Sequence, residues 1–390
     1  MSPQHFSLTT ALAALLIFTH SATAWSRRAC QAPTRDPLSG CPKGTILVGP
    51  SGRFQTVQSA ILSLPNNTVP YTILIQPGNY TEQLNITRPG PLTLLGTTKH
   101  PNSNTLNTVN IIWSNATGTP STGSYDNLYT STLTIAPTLN SSATGAGPQG
   151  NPVPPSTPFG NTNFRSYNLN FRNVYAPYSA GPALALSLSY ANAGFYYCGF
   201  YSYQDTVYVG KLGNGYMHKC IVAGQTDFFY GFGTLWVQDS EVLMRGCGGG
   251  ITAWKGTNTT FVNRYGVYIH DSRVRKENET LSITGQCALG RPWNALHRSL
   301  FANCDLDDSI RPSGYIQWSA TDPRLGINTT MAEYKDFGPG FNRTGRLIAN
   351  VTKLFSDADY EPYSAPEKVF QFPFSGEPGN TAWIDTRPQA

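Results

Sequence analysis

Three short segments hold the residues that could do chemistry: Gln204-Asp205-Thr206, Asp227-Phe228-Phe229-Tyr230-Gly231 and Leu289-Gly290-Arg291-Pro292-Trp293. Two nearby carboxylates divide labour when their surroundings separate their pKa values. One stays ionised and attacks, and the other holds a proton and donates it. An arginine beside the attacking carboxylate keeps it ionised, and Arg291 is the candidate. Flanking aromatic residues take the second carboxylate partly out of water and raise its pKa. The plain alternative is that aspartates in turns are simply turn formers and strand ends.

These residues must be positioned by elements far apart in sequence. Short β-rich runs alternate with turns, among them Thr72-Ile73-Leu74-Ile75, Leu92-Thr93-Leu94-Leu95, Thr206 to Val209 and Leu235-Trp236-Val237. One pattern recurs about every 20 residues: Phe195-Tyr196-Tyr197-Cys198, Tyr216-Met217-His218-Lys219-Cys220, Leu235-Trp236-Val237-Gln238-Asp239 and Val267-Tyr268-Ile269-His270-Asp271. A single coil cannot bury its apolar face, but stacked coils share a continuous core. The repeats therefore predict an all-β solenoid, a right-handed parallel β-helix in one domain. A β-sandwich is the structural alternative and does not predict the repeat. Asp205 and Asp227 are 22 residues apart, close to one coil, so they can sit on the same face of neighbouring coils. Gln55 to Leu64 reads as a short capping helix. Asn115 to Asn163, rich in Ser, Thr, Asn, Gly and Pro, reads as a long surface excursion.

Composition narrows the function classes. Of the 390 residues only 13% are charged and 12% are aromatic, which fits an all-β extracellular protein. The formal net charge of +5 is too weak and scattered for nucleic acid, and mildly favours approach to a polyanionic polymer. Leu8 to Phe18 is apolar and Ala22-Thr23-Ala24 has the form of a cleavage site, so residues 1–24 read as an export signal. Residues 25–42 follow as an N-terminal segment with a dibasic pair at Arg27-Arg28, a second processing point, and residues 43–390 form the main domain. No later stretch approaches transmembrane length. Asn-x-Ser/Thr sequons at Asn66, Asn79, Asn85, Asn115, Asn140, Asn258, Asn278, Asn328, Asn342 and Asn350 support a secreted glycoprotein.

The seven cysteines form no CxxC pair and no Cys/His cluster, which argues against a zinc site. Cys30 with Cys41 would close a local loop, and Cys198 with Cys220 would join successive coils. Cys247 reads as buried or paired rather than nucleophilic. His218 and His270 read as structural, Glu82 as structural in an early coil, and Asp239 as a turn residue. Arg264, Arg273 and Arg275 read as a solvated face, and Trp254 is open between core and cleft.

Five blocks, in order, resemble the pectin methylesterases, the pectinesterase family. Gly78-Asn79-Tyr80-Thr81-Glu82 is similar to G-x-Y-x-E, and Pro182-Ala183-Leu184-Ala185-Leu186 stands where Q-A-V-A-L is usual. Gln204-Asp205-Thr206-Val207 is similar to Q-D-T-L, Asp227 to Gly231 to D-F-[IL]-[FY]-G, and Leu289 to Trp293 to L-G-R-P-W. The resemblance spans roughly residues 43 to 385 and implies roles where residues match. Asp227 aligns with the nucleophile, Asp205 with the general acid/base, Gln204 with an oxyanion-stabilising amide and Arg291 with the arginine on the nucleophile. Trp293 aligns with a sugar-contacting aromatic, and Tyr208 and Tyr230 fall at cleft positions. Pro182 departs from the pattern, since proline offers no side-chain donor and no backbone N–H where the family has a second glutamine. The implied activity is hydrolysis of methyl esters on galacturonate units of pectin, by a monomer, with no metal or other cofactor and with neither nucleic acid nor membrane as partner. Two rivals are a polysaccharide lyase on the same fold, which needs calcium-binding carboxylate clusters, and a non-catalytic pectin-binding β-helix.

Overall fold

The computed structural model describes residues 26–119, 125–144 and 153–388, so the expected export signal at 1–24 lies outside the described residues. Among the described residues every ladder between strands is parallel, and the strands form three sheets of 11, 8 and 6 strands. Successive strands along the chain move from sheet to sheet, and each pairs with the equivalent strand one coil away. The result is a parallel β-helix, as the repeat predicts. The cause is burial: parallel strands cannot be joined by tight hairpins, so each coil closes through corners and hides its apolar side chains inside. Phe164, Phe171, Phe195 and Phe200 fill the interior with ring centroids 5.1 to 5.8 Å apart.

The recurring sequence pattern is a corner of this helix. Tyr197, Lys219, Asp239 and Asp271 each follow a strand of the 11-stranded sheet and each has positive φ. Asp239 is thus a turn residue, as expected. The residues one step on, Cys198, Cys220, Ser240 and Ser272, stack inward behind the corner. Cys198 and Cys220 are free buried thiols, contrary to the expected pairing. In-register parallel stacking holds neighbouring Cβ atoms near the strand spacing of about 4.8 Å, longer than a disulfide prefers. Each thiol donates instead to carbonyl oxygens, as Cys220 Sγ does to Phe195 O at 3.4 Å. The disulfides are Cys30–Cys41, as expected, and Cys247–Cys287.

A helix closes the first coil of the solenoid. The capping helix runs Val57–Leu62, and Glu82 caps it from the next coil, accepting from Val57 N and Gln58 N at 2.8 Å each. This is the structural role of the Gly78-to-Glu82 block. Residues 26–42 also pack onto the body: Gln31 donates to Gly96 O at 2.7 Å, and Arg27 of the dibasic pair is buried. Near the other end Arg346 and Glu333, both without exposed side-chain surface, form a bidentate pair at 2.8 and 3.0 Å. Trp254 belongs to the core. The excursion is not all surface. Its Leu133–Ile135 strand is buried and joins the 6-stranded sheet between Leu84–Ile86 and Leu186–Leu188.

Breaking a buried ion pair from one side leaves the other charge stranded. Arg346→Ala is therefore expected to destabilise the protein by about 3–5 kcal/mol, and the double change Arg346→Met with Glu333→Leu to recover most of it. Denaturant unfolding of the three proteins checks this. Equal stability of Arg346→Ala and the parent would contradict it.

Candidate active site

The 6-stranded sheet carries the site. Its strands Leu186–Leu188, Val207–Val209, Phe229–Gly231 and Thr252–Trp254 are stacked in register, with Val207 opposite Phe229. Asp205 and Asp227 each lie two residues before those partners, so they occupy the same position on adjacent coils. Both have left-handed backbones, φ 59° and 47°. Aspartate tolerates that region better than most residues, and strained backbones of this kind gather at functional sites. The backbone holds them: Asp205 N donates to Thr226 O at 3.0 Å, and Asp227 N to Gly250 O at 2.7 Å.

Asp227 is held by three donors. Arg291 Nη2 donates to Oδ2 at 2.6 Å, Arg291 Nε to Oδ1 at 3.0 Å and Gly250 N to Oδ1 at 3.0 Å. Burial pushes the Asp227 carboxyl above its ordinary value, while Arg291 and the Gly250 amide pull it back. Burial acts on Asp205 as well, the charge of Asp227 adds to it, and Arg291 opposes only weakly, so Asp205 stands well above the ordinary carboxylate range. The two carboxyls therefore differ in the sense that acid/base chemistry needs. Asp205 is thus raised further than Asp227, which has the arginine and the amide against it.

The backbone that brings Arg291 to Asp227 is made possible by glycine. Gly249 has φ +61°, and a Cβ there would lie 2.5 Å from Asp227 Oδ1 and 2.8 Å from Arg291 Cζ. The Cys247–Cys287 disulfide ties this glycine run to the segment that leads to Arg291. On its outer face the Arg291 guanidinium lies over the Trp318 ring at 4.0 Å, and Arg324 packs on the same ring at 4.0 Å while donating to Trp293 O at 3.1 Å.

Gln204 is half-buried beside Asp205, and its Oε1 accepts from Ser179 Oγ at 2.9 Å. Fixing the oxygen end of the amide commits the Nε2 end to donating elsewhere. Trp293, Tyr230, Tyr208 and Phe232 form an aromatic wall, with Tyr230 5.7 Å from Trp293 and 4.9 Å from Tyr208. Tyr208 has no exposed surface and Tyr230 almost none, whereas Trp293 is half-buried. All seven residues singled out in sequence, Gln204, Asp205, Asp227, Arg291, Trp293, Tyr208 and Tyr230, thus converge on one region of the solenoid.

Sequence reasoning did not find Asn127, whose Nδ2 lies 3.2 Å from Asp205 Oδ2, nor Trp318, Gly249 and Ser179. The only prior signal among them was the glycine run around Cys247. His270 and His297 are buried and pushed down to about 3 by burial, so they stay neutral in the core. Among the described residues no three His, Cys, Asp or Glu side chains converge as a metal site.

Comparison with known proteins gives one consistent answer. The family model described as Pectinesterase matches residues 157–369. Pectinesterase A of Emericella nidulans is 30% identical over 324 residues, covering 82% of this chain and 87% of that protein. The probable pectinesterase A of Aspergillus niger is 30% identical over 337 residues, covering 86% and 89%. A crystal structure of the pectin methylesterase from Aspergillus niger has a TM-score of 0.69 at 26% identity, covering 88% of this chain and 97% of that one.

A side chain at position 249 would wedge into the ion pair. Gly249→Ala is expected to lengthen the Arg291 Nη2–Asp227 Oδ2 contact from 2.6 Å to beyond hydrogen-bonding distance. The cost in stability is about 1–2 kcal/mol for a left-handed alanine. A crystal structure of the variant with the pair unmoved would contradict this.

Proposed function

The chain belongs to the pectinesterase family, and from that premise we propose that it hydrolyses methyl esters of pectin through an aspartate nucleophile, Asp227. As a pectinesterase it is a carboxylic ester hydrolase. The finer reading rests chiefly on one observation: Asp227 is gripped by Arg291 and Gly250, one coil from the buried carboxyl of Asp205. A carboxylate offers about four acceptor sites. Oδ1 takes two donors and Oδ2 takes one, so the remaining lone pair is on Oδ2, the atom we assign to attack.

Asp227 Oδ2 adds to the C6 carbonyl carbon of a methylated galacturonate unit, and the carbonyl oxygen becomes the oxyanion. Gln204 Nε2 donates to it. As the C–O bond to the methoxy group breaks, Asp205 gives its proton to that oxygen and methanol leaves. The galacturonyl group is then joined to Asp227 as an acyl-enzyme. Asp205, now ionised, takes a proton from water, whose oxygen attacks the same C6 carbon. The acyl–Asp227 bond breaks, Asp227 regains its carboxylate and Asp205 its proton. The half-buried face of Trp293 is the surface on which we seat the sugar ring, with Tyr230 and Tyr208 behind it as support.

We also propose that the protein is secreted and glycosylated. All sequon asparagines other than Asn85 and Asn115 are exposed, and disulfides belong to oxidising compartments. No helix among the described residues is long and apolar enough to cross a membrane.

The test is methanol release from methylated pectin by the purified protein and by Asp227→Asn. The parent should release methanol, and the variant should fall by at least about a hundredfold with unchanged circular dichroism. A folded variant that keeps a tenth of the rate would remove Asp227 from the role of nucleophile. Asp205→Asn should also lose the basic limb of the pH profile, since that limb is the loss of the acid's proton.

A further inference from the structure

The long excursion between the coils reaches the acid. It is tied down beside Pro182. Thr117 N donates to Pro182 O at 3.0 Å, so the excursion passes directly against the proline. A Cβ at Gly181 would meet Thr117 O at 2.4 Å, so the two segments are in close contact. Ten residues beyond Thr117 the excursion delivers Asn127. One amide nitrogen there lies 3.2 Å from Asp205 Oδ2 and 3.3 Å from the Tyr230 hydroxyl. An amide –NH2 has two hydrogens, enough to reach both.

The placement is built, not incidental. Asn127 opens a single 3-10 turn, Asn127–Thr130. Asp126 Oδ1 caps the turn by accepting from Leu128 N at 3.0 Å, and it also accepts from Thr144 N at 2.9 Å further along the excursion. Thr130 then locks the turn to the solenoid. Its hydroxyl donates to Asn127 O at 2.7 Å and accepts from Leu184 N at 3.0 Å, and its carbonyl accepts from Asn173 Nδ2 at 2.9 Å. Leu184 is two residues from Pro182, on the same coil. The excursion is thus anchored on both sides of Asn127 to the coil that carries the proline.

We propose that Asn127 is a positioning residue for Asp205: its carboxamide fixes the Oδ2 edge of the acid against the Tyr230 hydroxyl. This rests on the reading of Asp205 as the acid that protonates methanol. A carboxyl free to rotate would present its proton to the leaving oxygen only part of the time, whereas one held at Oδ2 keeps the other oxygen directed at the ester. The bond has an electrical consequence as well, because a donor on a carboxylate favours its charged form. Other titratable and charged groups facing Asp205 are Asp227, Arg291 and the Tyr230 hydroxyl, and Asp126 reaches Tyr230 from the excursion. Burial and the Asp227 charge push Asp205 up, and a donor on Oδ2 acts in the opposite sense.

The experiment is the pH dependence of kcat and kcat/KM for methanol release from one methylated pectin preparation. It compares the parent, Asn127→Ala and Asn127→Asp, with thermal unfolding of all three. Asn127→Ala should lower kcat on the order of tenfold, the worth of one hydrogen bond to a charged group. KM should stay within about twofold, because the lost contact acts on the acid and not on the sugar. The basic limb of kcat/KM should move to higher pH, since the acid loses a donor that favoured its ionised form. Asn127→Asp keeps the size and shape of the side chain but sets a like charge beside Asp205. It should be slower than Asn127→Ala and move the basic limb further up. A purely structural role for Asn127 predicts the opposite order, with the isosteric variant the milder one. Unchanged kcat in a folded Asn127→Ala protein, a loss confined to KM, or a basic limb that stays in place would each overturn the proposal. If the parent itself releases no methanol, the proposed function fails and takes this inference with it. If the parent is active and Asn127→Ala matches it, only this inference fails.

Discussion

A carboxylate that has lost most of its water stays ionised only if protein groups replace that water. Asp227 has a side chain 10% exposed, and the replacement is a fork of two guanidinium hydrogen bonds from Arg291 with one backbone amide. Leaving such a charge without partners would cost several kcal/mol, and the carboxyl would take up a proton instead. The rest of the site depends on this interaction. In the proposed mechanism a neutral Asp227 could not attack. The charge it keeps also helps to hold the proton on Asp205 one coil away. The ion pair therefore bears on both carboxyls, each of which burial pushes up first, and only Asp227 has the arginine in direct contact.

The solenoid makes this arrangement inexpensive to build. Coils repeat at the strand spacing, so two aspartates at equivalent positions are neighbours without any special loop to bring them together. The strain is local. It consists of two left-handed aspartates and a glycine run whose missing side chains leave room for the arginine. The stacked aromatic interior, the helix capped by Glu82 and the buried Arg346–Glu333 pair over-determine the frame that holds this strain in place. The Cys247–Cys287 bridge performs the same service nearby, since it joins the strand that ends in the glycines to the segment that becomes Arg291.

Much of this was legible in the sequence, for physical reasons that can be traced. The corner of each coil imposes one conformation every turn of the helix, so Tyr197, Lys219, Asp239 and Asp271 recur at intervals that the eye can find. Asp205 and Asp227 share a coil position because their spacing matches that interval. The contributions of Asn127, Ser179 and Trp318 could not be read. Each reaches the site from an irregular segment whose path is decided by hydrogen bonds between distant residues, such as Thr117 to Pro182. The cysteines failed for a related reason. Spacing placed Cys198 and Cys220 on neighbouring coils correctly, but adjacency in a parallel stack is the wrong geometry for a bond. Cys247 and Cys287, 40 residues apart, come together across an irregular stretch that no periodicity describes.

On the proposed mechanism Arg291 acts by keeping Asp227 ionised. The direct measurement is kcat/KM for methanol release as a function of pH, for the parent and for Arg291→Ala. Without the guanidinium the proton is held more tightly, so the acidic limb should move to higher pH, and the variant should recover part of its deficit as the pH rises. A uniform loss at every pH, with the acidic limb where the parent has it, would contradict the account.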